Sequence, residues 1–447
     1  MSVNFTTSNP RTFVVVGAGL GGALLACYLA DMGHRVRLFE RRPDPRENGF
    51  IGGRSINLAL STRGITGLKG VGLDQAVLED AIPMRGRMLH DPDGEVVFQA
   101  YSKDPTDAIN SVSRAGLNIT LLNAAAKRAN IEMRFGCRCL DVDLKWPRVT
   151  FRDEQTGEAI EAEGDAVIGA DGAFSAIRAA MQRTDRFNYE QSYLSHGYKE
   201  LTIPPTESGE FAIDPNALHI WPRGANMMIA LPNKDRSFTC TLFWPFDGEE
   251  SFERITGDDS VRAHFEKVYP DAPAIMPTLL EDFRDNPVSS LVTIRCRPWN
   301  AGGKVALLGD AAHAIVPFYG QGMNAAFEDC RVLAEQLASH DDSLEVALDA
   351  YACARHDNAD AIADMALTNF VEMRDKTAST WFRLRKKLET TLHKLLPDSF
   401  LPLYNMVSFS NIPYAEALGR ARRQARVIEW SGVGVAGLLL AGVLLAL

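Results

Sequence analysis

Residues 12–40 read TFVVVGAGLGGALLACYLADMGHRVRLFE. Thr12 to Val16 is a short apolar run with the composition of a buried strand, a glycine-rich turn follows, and residues 23–32 have helical length and apolar content. Gly33 and His34 break that helix, and Arg35 to Phe39 alternates polar and apolar side chains as a second strand. The three pieces form a βαβ unit, which predicts a parallel sheet flanked by helices. Gly17, Gly19 and Gly22 supply the spacing G-x-G-x-x-G between strand and helix, so backbone N–H groups at the helix start can approach a pyrophosphate. Glu40, eighteen positions after Gly22, closes the second strand, where a carboxylate accepts hydrogen bonds from ribose hydroxyls. Glycines used only for packing would leave Glu40 unexplained, so the unit is expected to bind a dinucleotide.

Outward from this unit, the 447 residues are 46% hydrophobic, enough for two or three domains with a sizeable core. Short strand-like runs such as 226–231 and 238–244, punctuated by Pro and Gly, predict a second mixed or antiparallel sheet between about 187 and 292. Residues 304–308 return to the buried-strand pattern and 324–337 to a helical one, so the first domain is completed late in the chain. The expected fold is α/β: a discontinuous Rossmann-like nucleotide domain (1–84, 106–186 and 293–343), a substrate domain (85–105 and 187–292), and a C-terminal helical region (344–426).

A net charge of -10 gives no overall basic surface for nucleic acid, and none is expected as a partner. Seven cysteines, with no C-x-x-C pair or metal-ligand spacing, predict reduced thiols and no metal site. Residues 1–13 have neither the basic nor the apolar region of a secretory signal, which places the chain on the cytoplasmic side. Residues 431–447, at the end of a tail taken as 427–447, carry no charge; as a helix they would span roughly 26 Å, near the lower limit for a hydrocarbon core. Trp430 suits a membrane interface, and Arg420, Arg422, Arg423 and Arg426 follow the positive-inside rule, so membrane contact is expected. A buried C-terminal helix, or one dipping into a single leaflet, is the alternative.

Two distant segments refine the cofactor. Residues 168–178, IGADGAFSAIR, resemble the Asp-Gly motif of class A flavoprotein monooxygenases, and residues 308–313, LGDAAH, followed by Pro317 and the run Gly320 to Asn324, resemble their Gly-Asp motif. The resemblance implies bound FAD, NADPH as a transient co-substrate without a second Rossmann domain, and dioxygen. Asp310 suits a ribityl hydroxyl, while the turn through Gly320 and Gln321 into Gly322, Met323 and Asn324 would aim a helix N-terminus at the flavin edge where reduction leaves negative charge. Arg42 and Arg114 are candidate partners of the diphosphate or adenine, with surface salt bridging the alternative for Arg42. His313 reads as a local hydrogen-bonding residue.

Further stretches narrow the family. Residues 53–61 (GRSINLALS), 83–88 (PMRGRM), 369–375 (NFVEMRD) and 402–409 (PLYNMVSF) resemble the kynurenine 3-monooxygenase family. Carried over position by position, that resemblance implies substrate contacts at Arg87, Tyr101, Asn369 and Tyr404, with Arg87 gripping the carboxylate of an aromatic amino acid bidentately. Arg85 competes for this role, since 85 and 87 share a face of one strand; the fourteen-residue spacing from Arg87 to Tyr101 matches the family. The implied reaction is NADPH-consuming hydroxylation of L-kynurenine through a flavin 4a-hydroperoxide. Kynurenine's aniline nitrogen activates the ring, so no protein base is assigned. The alternatives are an enzyme of this scaffold that reduces or epoxidises a membrane lipid, and a non-catalytic flavin-binding redox sensor.

Overall fold

The computed structural model of the protein describes residues 7–48, 57–371 and 400–427. Gly53, Arg54, Ser55 and Ile56, the positions 372–375, Trp430 and the apolar stretch 431–447 lie outside them. Among the described residues no helix is long and apolar enough to cross a membrane.

The βαβ unit forms where its pattern puts it: β1 (Thr12–Val16), α1 (Leu20–Asp31) and β2 (Arg35–Phe39). β1 lies inside a six-stranded sheet, paired parallel to β2 on one side and to Ala166–Gly169 on the other. Val305–Leu307 pairs parallel to Ala166–Gly169, so a strand from late in the chain completes the sheet. Phe13, Val14 and Val15 are fully buried, each such side chain contributing about 1.5–3 kcal/mol of burial energy. α1 packs against this sheet, and Val142, Val149 and Phe151 of a small antiparallel sheet join the same core, Phe151 stacking on Phe39 at 4.2 Å, which is why residues 13–16 are apolar instead of alternating.

Two small antiparallel sheets belong to stretches that carry no strong strand signal. Cys137–Asp143, Arg148–Asp153 and Ala159–Glu163 form one, and Asn57–Leu60, Ile109–Ser113 and Ile82–Met84 form the other.

The seven-stranded sheet is mixed. Its pairings are antiparallel except that Gly86–His90 runs parallel to Ala217–Arg223. The period of two sorts its side chains cleanly. Trp221, Met228, Ala230, Cys240, Leu242 and Trp244 pack beneath the helices Asp258–Val268 and Leu279–Asp285. Leu218, Ile220, Met227, Ile229 and Phe243 face the other way, toward Phe318, Tyr319 and Phe370.

The C-terminal region holds three helical segments among the described residues: Leu344–Val371, Leu403–Ser408 and residues 414–427. Met406, Val407, Tyr414 and Ala417 are buried against Ala325, Ile362 and Met365, so this region packs on the helix Gly322–Ser339.

Candidate active site

The three cofactor motifs meet at the C-terminal edge of the six-stranded sheet. Val16 is level with Gly169, and Gly169 with Leu307, so the turns following these strands are neighbours. Gly17 turns with φ +101°, and a Cβ there would lie 2.4 Å from the Ala170 carbonyl oxygen. At Gly22 a Cβ would fall 1.9 Å from the Gly17 carbonyl, whereas at Gly19 it would meet no atom within 4 Å. Gly17 and Gly22 are thus required by the protein's own packing. Gly19 keeps the surface at the start of α1 low, where the first N–H groups of a helix have no intrahelical acceptor. This cradle fits a dinucleotide diphosphate. Glu40 is oriented beside it, accepting from the backbone N–H of Ala18 at 2.9 Å and of Arg42 at 3.0 Å.

Arg42 and Arg114 are exposed, and Arg114 is the first residue of the helix Arg114–Ala126 capped by Ser113. A cation in a first turn opposes the helix dipole, so Arg114 is not placed there to favour the helix. Asp171 caps the next helix through the Ala176 and Ile177 N–H groups at 2.7 and 3.3 Å, and burial pushes its carboxyl above the ordinary value. Arg178 joins two motifs by donating to the carbonyls of Ala173 at 2.6 Å and Ala311 at 2.8 Å. Asp310, at the start of the short helix Asp310–His313, is exposed.

His313 is a structural residue: its Nε2 lies 2.5 Å from Asp329, which also binds Arg355 at 2.6 Å and accepts from the Gly309 N–H at 3.1 Å. Burial alone would raise the Asp329 carboxyl, but His313 and Arg355 hold it down at about 2. Arg355 and Arg63 share the carboxylate of Glu328, giving a buried ionic chain across three helices.

Gly320 adopts a left-handed conformation, φ +66°, and a Cβ there would sit 3.1 Å from Ala59. The side chain of Asn324, fully buried, accepts from the Ser61 N–H and donates to the carbonyls of Ala59 and Gly320. Any cofactor contact by Gly322, Met323 and Asn324 would therefore use the backbone at the helix start, since Asn324's amide is engaged in holding the turn.

Ala59 also joins the cluster containing Tyr101, Leu218, Ile229, Tyr404 and Phe409, so the turn and the substrate candidates share a wall. The Arg87 guanidinium lies 4.8 Å from the Tyr404 ring centre and 5.6 Å from that of Tyr101, and those rings stack at 5.1 Å. Nε of Arg87 and the Tyr101 hydroxyl are buried without a well-formed hydrogen bond among the described residues, although the guanidinium and the Tyr101 and Tyr404 phenols lie close enough for polar interaction. Burial pushes the Tyr101 phenol well above its usual range, leaving it a protonated donor at neutral pH. Asn369 Nδ2 donates to the Phe318 carbonyl at 2.6 Å, and Tyr319 in that turn lies 5.9 Å from Tyr404. Arg87, Tyr101 and Tyr404 thus meet directly, and Asn369 is linked to them through the Phe318–Tyr319 turn.

Arg85 continues the ladder of Gly86–His90: its N–H donates to the Asn216 carbonyl at 2.8 Å and its carbonyl accepts from the Tyr101 N–H at 3.1 Å, so it stands opposite Tyr101. The chain changes sheets between Ile82–Met84 and Gly86–His90, leaving Arg85 at the joint, exposed, its Nε on the Pro105 carbonyl at 3.3 Å. Arg87 stands opposite Gln99 and level with Leu218, which places Tyr101 on the diagonal from it and both on the face toward Tyr404. Leu218, Ile229 and Phe243 on this face were not identifiable from sequence, because alternation shows that a strand has two faces and not which neighbour each meets. Gln321 is a further addition: its amide oxygen accepts from Tyr414 at 2.8 Å, a bond no local pattern signals.

Residues 11–366 match the family model described as FAD binding domain. Kynurenine 3-monooxygenase of Myxococcus xanthus is 50% identical over 90% of this chain and 87% of that relative. The enzyme of the same name from Flavobacterium johnsoniae is 48% identical over 93% and 92%, and that from Dictyostelium discoideum 46% over 93% and 92%. Among solved structures, 2-methyl-3-hydroxypyridine-5-carboxylic acid oxygenase superposes with a TM-score of 0.69 at 20% identity, covering 83% of this chain and 94% of that one. PqsL of P. aeruginosa in complex with 2-aminobenzoylacetate gives 0.66 at 23%, covering 82% and 97%. These structural likenesses establish the fold, and the sequence relatives disfavour the lipid-directed and non-catalytic alternatives. With matches of this identity running along nine-tenths of its length, the chain belongs to the kynurenine 3-monooxygenase family.

Proposed function

We propose that Arg87, Tyr101, Asn369 and Tyr404 hold the amino-acid end of L-kynurenine while its aromatic ring lies toward the turn at Gly320. The overall reaction is that of the family: FAD-dependent aromatic hydroxylation consuming NADPH and dioxygen. FAD, when bound, carries electrons from NADPH to dioxygen and presents the activated oxygen to the substrate ring. In this reading Gly17, Gly19 and Gly22 cradle its diphosphate, Glu40 takes ribose hydroxyls, and Arg42 and Arg114 flank the nucleotide. Asp310 takes the ribityl chain, and the N-terminus formed by Gly322, Met323 and Asn324 faces the flavin.

The observation that carries the reading is the guanidinium of Arg87, caged by two tyrosine rings with a buried, unpartnered Nε. A half-buried guanidinium in that state can be completed by a carboxylate, which the planar fork binds bidentately. Tyr101 then donates its hydroxyl to the same end. Phe318, Phe370 and Phe243 supply apolar surface beyond it, excluding water from the reacting ring. The test is L-kynurenine-stimulated NADPH oxidation by the holoenzyme with chromatographic identification of the product. Stoichiometric 3-hydroxykynurenine is expected, and hydrogen peroxide alone would refute the assignment.

Two further parts of the reading concern organisation. The six-stranded and seven-stranded sheets support a division into a discontinuous FAD domain (1–84, 106–186, 293–343), a substrate domain (85–105, 187–292) and the helical region 344–426, except that the strand Ser289–Arg297 pairs within the seven-stranded sheet and carries the substrate domain to 297. The charge-free stretch 431–447, preceded by Arg420, Arg422, Arg423 and Arg426, supports membrane attachment on the cytoplasmic side. Removal of residues 430–447 is expected to abolish sedimentation with lipid vesicles, and an unchanged pelleted fraction would sink that attachment.

A further inference from the structure

The family-model match ends at residue 366, yet the chain beyond it reaches the turn proposed to face the flavin. Tyr414, fully buried, donates its hydroxyl to Gln321 Oε1 at 2.8 Å, and the Ser61 hydroxyl approaches the same oxygen at 3.5 Å. Both hydroxyls can donate, and the amide presents its oxygen to them. The orientation of the Gln321 amide is therefore fixed from outside the nucleotide domain, and neither bond uses its NH2 end. Gln321 itself is 2% exposed and stands between Gly320 and Gly322, so holding its side chain holds the turn.

Tyr414 is immobilised in turn. The Arg63 guanidinium lies 3.9 Å from the centre of its ring and donates to the Ile412 carbonyl at 2.6 Å, while its other arm pairs with Glu328 on the helix that Gln321 opens. Three elements thus converge on one phenol: the helix Thr62–Lys69, the helix Gly322–Ser339 and the C-terminal segment.

We propose that Tyr414 is a positioning residue of the flavin site, acting through Gln321 to set the turn and the start of the helix behind it. The proposal rests on the reading that this turn faces FAD. A slack turn misaligns the N–H groups at the helix start, so the reduced flavin loses stabilisation and oxygen is delivered less efficiently to the ring.

The test compares Tyr414→Phe, Gln321→Leu and the double variant as holoenzymes beside the parent protein. Two quantities are read: the flavin reduction potential without substrate, and 3-hydroxykynurenine formed per NADPH oxidised. Tyr414→Phe is expected to retain FAD, shift the potential downward and lower the product ratio about three- to ten-fold, the scale of one buried hydrogen bond. Gln321→Leu is expected to do the same, and the double variant to be no worse than Gln321→Leu alone, because both remove one coupled interaction. Independent, additive losses overturn the proposal, as do a parent-like potential and product ratio in Tyr414→Phe. Should Tyr414→Phe not accumulate with FAD, Gln321→Leu carries the test, and parent-like values there overturn it. A parent protein that makes no product from kynurenine would refute the substrate assignment, while the potential still tests Tyr414.

Discussion

Replacing Arg87 with methionine keeps the bulk of the stem and removes the charge that the proposed substrate carboxylate would meet. In the complex, Arg87 would form a buried, charge-assisted pair, and truncating one member of such a pair costs about 2–5 kcal/mol. That corresponds to a dissociation constant weaker by about 30- to 5000-fold. Stability moves differently. In the substrate-free protein the guanidinium is offset by tyrosine rings at 4.8 and 5.6 Å, and its Nε makes no hydrogen bond to the described residues. Two cation–π contacts of about 0.5–2 kcal/mol each compete with a desolvation penalty of several kcal/mol per ion. Arg87→Met is therefore expected to leave the melting temperature of the substrate-free holoenzyme unchanged or raise it, while FAD stays bound. Arg87→Lys, retaining a point charge without the fork, should bind with intermediate affinity. The assay is titration of the flavin absorbance with L-kynurenine, alongside thermal unfolding. A dissociation constant within threefold of the parent refutes the role, and so does a fall in melting temperature beyond about 5 °C, since Arg87 would then be a structural support.

Gly19→Ala and Gly22→Ala should separate cofactor binding from folding: the first meets no protein atom and is expected to fold but release FAD, whereas the second clashes with the Gly17 carbonyl and should fail to fold. Equal FAD content in Gly19→Ala and the parent would remove the diphosphate from α1. Asp329→Asn leaves Arg63 and Arg355 sharing the Glu328 carboxylate alone, one buried cation in excess, and is expected to destabilise the protein by about 3–5 kcal/mol at pH 7, read from urea unfolding. A change below 1 kcal/mol, on the order of a surface substitution, would contradict it. His34 and His219 are buried, and burial lowers both to about 4 from an ordinary 6.5. Their folded values lie below the unfolded one, so stability is full above pH 6.5 and declines as the pH falls toward 4. A urea midpoint that stays flat across that window would refute it, and His34→Gln should make the decline shallower.

The chain's local pattern was enough for the nucleotide half of the molecule. Thr12–Val16, the helix behind it and Arg35–Phe39 are contiguous, so their periodicity, the glycine spacing and Glu40 are all properties of one short stretch. The Asp-Gly and Gly-Asp motifs are likewise local, because each is a strand end followed by a turn. Tertiary structure supplies the physical difference between Arg87 and Arg85, which spacing separates only by resemblance: Arg85 is exposed with its Nε on the Pro105 carbonyl, while the Arg87 guanidinium lies beside the Tyr101 and Tyr404 rings. It also decided what a pattern of buried residues cannot state: which face of the seven-stranded sheet meets the turn at Gly320, and that Arg63, Glu328, Arg355 and Asp329 satisfy one another's charge. The bond from Tyr414 to Gln321 spans 93 positions. Contacts of that kind are fixed by how elements pack, and sequence periodicity carries no information about a partner so far along the chain.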